Sequence, residues 1–165
     1  MDQQSIEIMK AFVRDYTSKI NCPNILDVGS LDVNGTYRDL FPYPFYNYIG
    51  LDVVPGRNVD IVTKDPYHYI FPANFWDVII SGQCLEHVED IYAWSDEAIR
   101  ILKPGGLMCI IVPNTWVEHK YPIDCWRFFP DGLRWLFVKR TKLMQEIAIA
   151  TQGPLTIAVL RKLLL

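Results

Sequence analysis

Five short runs rich in valine and isoleucine set the limits on how this chain folds: ILDVG (25–29), YIGLDV (48–53), VDIVT (59–63), WDVIIS (76–81) and LMCIIVP (107–113). Each is short and apolar at consecutive positions, so the strand it forms must be covered on both faces. Between the last two lies EDIYAWSDEAIRILKPGG, whose stripe of Ile91, Trp94, Ala98, Ile99 and Leu102 predicts a helix ended by Lys103-Pro104-Gly105-Gly106. Residues 5–20 place Ile6, Met9, Phe12, Val13, Tyr16 and Ile20 at helical spacing, with Asn21 and Pro23 as the stop. Strand–helix alternation of this kind predicts an α/β fold: an open, doubly wound, mostly parallel sheet with helices on both faces.

After residue 113 the rhythm changes. An aromatic, polar stretch, NTWVEHKYPIDCWRFFP, precedes a helix expected over 131–137 and capped near Asp131. KLMQEIAIA reads as a strand, and LTIAVLRKLLL as either another strand or a closing helix, with Gln152-Gly153-Pro154 as the turn between them. An antiparallel C-terminal edge strand is the expectation. Trp76, Trp94 and Trp135 sit in patterned segments and are expected in the core, and residues 1–165 are expected to form a single compact domain.

The chemistry concentrates where the strands end. In open α/β sheets, ligands bind beyond the carboxyl ends of the strands. Asp27-Gly29-Ser30, Asp52, Asp65, Ser81-Gly82-Gln83 and Pro113-Asn114 follow the runs in turn, so small and polar groups recur at that edge. A glycine there lets backbone approach a ligand with no Cβ in the way. An acid at the tip of the next strand, Asp52, can hold a ribose diol by charge-assisted hydrogen bonds. Together they describe a nucleoside pocket.

Composition excludes several alternatives. A net charge of −3 argues against a nucleic-acid surface, and Arg134, Lys139, Arg140 and Lys142 read as the solvated face of a late helix. The N-terminus MDQQSIEIMK lacks a signal or transit pattern, and no apolar run is long enough to span a bilayer. The four cysteines show no CxxC or metal-ligand rhythm, Cys84 and Cys109 read as small buried hydrophobes, and a cytoplasmic location is expected. No metal is expected either, because the carboxylates show no ligand spacing.

Across residues 24–115, ILDVGS, YIGLD, VTKDPY, FWDVIISGQCLEHVED and RILKPGGLMCIIVPN resemble, in this order, blocks of the class I S-adenosylmethionine-dependent methyltransferases, in particular the methyltransferase type 11 group. The tail HKYPIDCWRFFPDG is similar to a variant of that group acting on sugars or other small polar acceptors. The resemblance implies a Rossmann-like core with S-adenosyl-L-methionine as cofactor and S-adenosyl-L-homocysteine as product. It implies that Asp27, Gly29 and Ser30 line the methionine part, that Asp52 binds both ribose hydroxyls and that Asp65 reaches the adenine amino group. Ser81, Gly82 and Gln83 would lie near the sulfonium, His87 would contribute to the acceptor wall, and Asn34 and Val53 complete the cofactor set. Two departures stand out. The glycine-rich run is displaced, Gly29-Ser30-Leu31-Asp32-Val33-Asn34-Gly35, with Asn34 in place of a glycine. Pro66 offers no N–H to adenine, leaving Tyr67 as the donor.

His119, Lys120, Tyr121, Asp124 and Arg127 follow the fifth strand, where an acceptor would approach the methyl group. Methyl transfer is an in-line displacement, governed mainly by positioning, and an oxygen acceptor gains from a base titrating near neutrality. His119 is the candidate base, with Asp124 orienting it, Arg127 forking onto an acidic group and Tyr121 in contact with acceptor; alternatively, Asp124 and Arg127 pair and pin the loop. The expected function is methyl transfer to a small polar acceptor, an oxygen of a sugar or related metabolite, by a protein for which a homodimer is allowed. Competing readings are a non-catalytic cofactor-binding partner subunit and a nicotinamide-dependent oxidoreductase, the latter opposed by the failure of GxGxxG after Gly29. Methylation of nucleic-acid bases is opposed by Ser81-Gly82-Gln83-Cys84, where an Asn/Asp-Pro-Pro-aromatic motif would stand.

Overall fold

The computed structural model describes residues 3–164. The strands are β1 (Asn24–Val28), β2 (Asn47–Asp52), β3 (Ile61–Val62), β4 (Trp76–Gly82), β5 (Leu102–Pro113), β6 (Met144–Gln152) and β7 (Leu155–Lys162). They form a seven-stranded sheet in the order β3-β2-β1-β4-β5-β7-β6. β1 to β5 run parallel, while β7 is antiparallel to both β5 and β6. The final segment is therefore a strand, inserted between β5 and the edge strand β6. β3 is shorter than the run 59–63 predicts, because only Ile61 and Val62 find partners on β2.

The consecutive apolar residues divide between two cores, as the two-residue strand period requires. On β5, Met108, Ile110 and Val112 face one side, and Leu107, Cys109 and Ile111 the other. The first side is covered by α2 (Ile91–Ile101) and by α3 (Pro130–Leu133), which continues as a π-helical stretch, Arg134–Lys139. The second is covered by α1 (Gln3–Phe12), also extended by a π-helical turn, together with Tyr37 and Phe41. Helices thus lie on both faces, and the sheet is the mostly parallel, doubly wound one expected.

Local differences have simple causes. Asp90 caps the start of α2, its carboxylate accepting from the N–H groups of Tyr92 and Ala93. Leu85–His87 is a separate 3₁₀ turn. Asp131 does not cap α3; it pairs with Arg134, and Pro130 opens the helix. Trp76 and Trp94 are buried as expected, but Trp135 is 54% exposed. The π-helical stretch keeps Leu136 and Phe137 on the buried side and turns Trp135 outward. Arg134 and Arg140 do not form a free solvated face, since they are held by Glu146 and by Asp96 and Ser95.

Candidate active site

Beyond the carboxyl ends of β1, β2, β4 and β5 lies a cavity of about 1150 Å³. That exceeds the usual range for a single small ligand, about 300–1,000 Å³, and leaves room for two. One half is built around Gly29, Leu31, Asn34, Asp52, Val53, Val54, Val62, Pro66 and Tyr67. The other is built from Gly82, Gln83, His87, Trp116, His119, Lys120 and Tyr121.

Asp52 sits where predicted, at the tip of β2 on the cavity wall. Its Oδ2 accepts from the N–H of Leu31 (3.0 Å) and its Oδ1 from the N–H of Val54 (3.1 Å). These two bonds fix the carboxylate and leave each oxygen lone-pair capacity for a diol. Val53, Val54 and Val62 are about half exposed around it. Branched apolar side chains left open beside a fixed acid suit the flat face of a base next to its ribose.

Gly29 lines the cavity at φ +82°, and a Cβ there would lie 2.4 Å from Cys84 Sγ. Its glycine is thus required by the chain's own backbone and packing. Gly82 is equally confined, since a Cβ would meet the Tyr37 hydroxyl at 2.1 Å.

Four expected cofactor residues do not reach the wall. Asp27 is 2% exposed and accepts a hydrogen bond from the Tyr48 hydroxyl, inside the sheet rather than at the cavity. It pairs in register with Gly50, and the space a Cβ would take there is filled by the Asn58 carbonyl and the Ser30 hydroxyl. Ser30 Oγ donates to the Asn58 carbonyl, and Ser81 Oγ to that of Val28. Asp65 is exposed, and its carboxylate accepts from the N–H of Tyr67, which is thereby engaged and not directed at a base. Asn34, Val53, Gly82 and Gln83 do line the cavity, Gln83 at φ +56°.

Burial drives the carboxyl of Asp27 up to about 7, with the Tyr48 hydrogen bond opposing and the Asp52 charge assisting. Its ordinary value is 3.8, so through this interval the folded state holds a proton that the unfolded chain has released. The group therefore lowers stability progressively as pH rises from about 4 to about 7, and fully above that. Asp27→Asn keeps an acceptor for Tyr48. The melting temperature of the variant, relative to the parent, should be higher at about pH 8 than at about pH 5. An equal difference at both pH values would show that Asp27 ionises normally within the fold.

The loop after β5 is folded back onto the turn after β4. The N–H groups of Cys125 and Trp126 donate to the Glu86 carbonyl at 2.8 and 3.2 Å, and Trp126 Nε1 donates to that of Val88 at 2.7 Å. His87 Nδ1 lies 2.5 Å from the Ile123 carbonyl. This brings His87 and His119 together at the cavity, rings edge to face with centroids 5.0 Å apart. Burial moves the His87 imidazole below its ordinary value.

Asp124 and Arg127 are the residues the site does not gather. Both Asp124 oxygens are engaged by Arg127, at 2.5 and 2.8 Å, and Oδ2 also accepts from the His119 N–H at 2.6 Å. The Arg127 guanidinium holds the carboxyl well below the usual range. The pair lies off the cavity wall and pins the loop, the arrangement of the alternative reading given above. Tyr121 is on the wall. Leu31, Cys84, Trp94 and Trp116 line the cavity without having been expected there. Trp116 had a signal, the aromatic density of its loop, but the others depend on how neighbouring strand ends meet.

Sheet order, strand direction and the position of the cavity define a doubly wound α/β domain that binds its ligand at the carboxyl edge. The chain belongs to the methyltransferase domain family, which matches residues 7–147. It is similar to 2-methyl-6-phytyl-1,4-hydroquinone methyltransferase 1, chloroplastic, of Oryza sativa subsp. japonica, 27% identical over 100 residues, covering 59% of this chain and 30% of that protein. The corresponding Synechocystis enzyme is 25% identical over 114 residues, covering 62% and 36%. The chain thus spans about a third of the length of these curated relatives. Among solved structures, the Burkholderia thailandensis 1,6-didemethyltoxoflavin-N1-methyltransferase, bound to 1,6-didemethyltoxoflavin and S-adenosylhomocysteine, superposes with a TM-score of 0.76. It is 14% identical and covers 98% of this chain and 80% of its own. These structural likenesses establish the fold. No helix among the described residues is long and apolar enough to cross a membrane.

Proposed function

We propose that this chain transfers a methyl group from S-adenosyl-L-methionine to a small polar acceptor, at an oxygen of a sugar or a related hydroxylated metabolite. The observation that carries the reading is the two-part cavity, with the fixed carboxylate of Asp52 in one half and His87 and His119 in the other. The residues present fit the cofactor. Asp52 would hold its ribose, Val53, Val54 and Val62 its base, and Gly29, Gly82 and Gln83 would line the remainder. When bound, the cofactor supplies an electrophilic methyl group on a sulfonium. The chain's own work is to align the acceptor, exclude water with Trp116 and Tyr121, and accept the hydroxyl proton at His119.

Ligand-dependent melting tests the reading. S-adenosylhomocysteine at 100 times its dissociation constant should add about 2.7 kcal/mol to stability, and NAD should add nothing comparable. Stabilisation by NAD alone would overturn the cofactor assignment and favour an oxidoreductase.

A further inference from the structure

The turn after β4 and the loop after β5 bring three potential metal ligands to one point: Glu86, His87 and His119, with one donor atom from each within 4.8 Å of the others. We propose that this trio binds a divalent transition ion of the zinc type, with an open coordination position facing the cavity. Two histidines and a carboxylate are a donor set suited to such ions, and three protein ligands with one open position is the arrangement of catalytic zinc sites.

Glu86 is the first argument. Its side chain is completely buried, and no other described residue donates a hydrogen bond to either carboxylate oxygen. A buried carboxylate without partners is costly, and an ion is the kind of partner that offsets the cost. The nearest cationic candidate, His87 Nε2, stands 3.8 Å from Oε1, beyond hydrogen-bond reach but close enough to share an ion.

The histidines supply the second argument. The Ile123 carbonyl at His87 Nδ1 fixes the tautomer with the proton on Nδ1, leaving the Nε2 lone pair toward Glu86. His119 Nδ1 lies 3.2 Å from the Val117 carbonyl and 3.5 Å from Asp124 Oδ2, which leaves its Nε2 as the free donor. Metal-ligating histidines characteristically give their other ring N–H to a carbonyl or carboxylate in this way. Ligand atoms about 2.0–2.2 Å from a tetrahedral ion are roughly 3.3–3.5 Å apart, so the trio must contract by about 1 Å. The partly exposed His119 ring can supply that movement.

Both histidines line the cavity. An ion at this point would meet an acceptor hydroxyl or carboxylate directly, and His119 would then serve as a ligand instead of a base. The ion site itself stands on the side-chain geometry and is independent of the identity of the cofactor.

Calorimetric titration of the whole chain with Zn²⁺, and visible spectroscopy with Co²⁺, test the proposal. Binding of one ion per chain is expected, with no thiolate-to-cobalt charge-transfer band. Glu86→Gln and His119→Ala should each weaken it by roughly a hundredfold or more while the circular dichroism stays that of the parent. Absence of saturable binding at millimolar ion, a thiolate band, or affinity unchanged in both folded variants would overturn it. Should one variant fail to fold, the other and His87→Ala decide. S-adenosylhomocysteine binding, measured alongside, reports separately on the proposed function.

Discussion

His119→Ala should reduce turnover of a hydroxyl acceptor by roughly 10²–10⁴ while leaving adenosyl-ligand affinity within about threefold of the parent. The asymmetry follows from the site. His119 lies with His87 and Tyr121 in one half of the cavity, and Asp52 anchors the other. The loss should appear in both kcat and kcat/KM, as for an interaction made in the transition state. Steady-state kinetics with calorimetry on the same preparation separate the two effects. Turnover at the parent rate would remove His119 from the chemistry. The proton-acceptor and ion-ligand roles both predict the loss, but only the latter makes activity depend on Glu86 and on chelators.

Asp52→Ala should weaken S-adenosylhomocysteine by about ten- to a hundredfold, because hydrogen bonds to a charged group contribute about 1.5–3 kcal/mol and 1.4 kcal/mol is tenfold. The substitution also frees the N–H groups of Leu31 and Val54. Both lie at the cavity, where water can replace the carboxylate, so the fold should persist. Unchanged affinity by calorimetry would place the ribose elsewhere and remove the main support for the nucleoside half of the site.

The strands and their direction were legible because burial on both faces leaves a plain mark, consecutive apolar residues that divide between two cores. Asp52 was legible for a related reason: the last residue of a parallel strand can hardly avoid the ligand edge. Asp27, Ser30 and Ser81 show the limit of that logic. Residues within a strand end alternate between faces, and a neighbour decides which face meets the cavity. Here the Tyr48 hydroxyl takes up Asp27, and the Asn58 carbonyl occupies Ser30. Asp124 and Arg127 were equally consistent with chemistry or with a loop pin until their bidentate geometry was seen. The Glu86–His87–His119 grouping had no sequence signature, because its third member arrives from a different loop. Its proximity depends on backbone hydrogen bonds from Cys125 and Trp126 to the Glu86 carbonyl, which no spacing rule encodes.

Methyl-group tracing tests the central claim most directly. The chain, incubated with S-adenosylmethionine carrying a trideuterated methyl group and a fractionated metabolite extract, should yield a small polar product bearing the label. Asp52→Ala should make less of it at limiting cofactor. Tight binding of S-adenosylhomocysteine with no labelled product from any fraction would contradict the account, and would describe a cofactor-binding partner subunit instead of an enzyme.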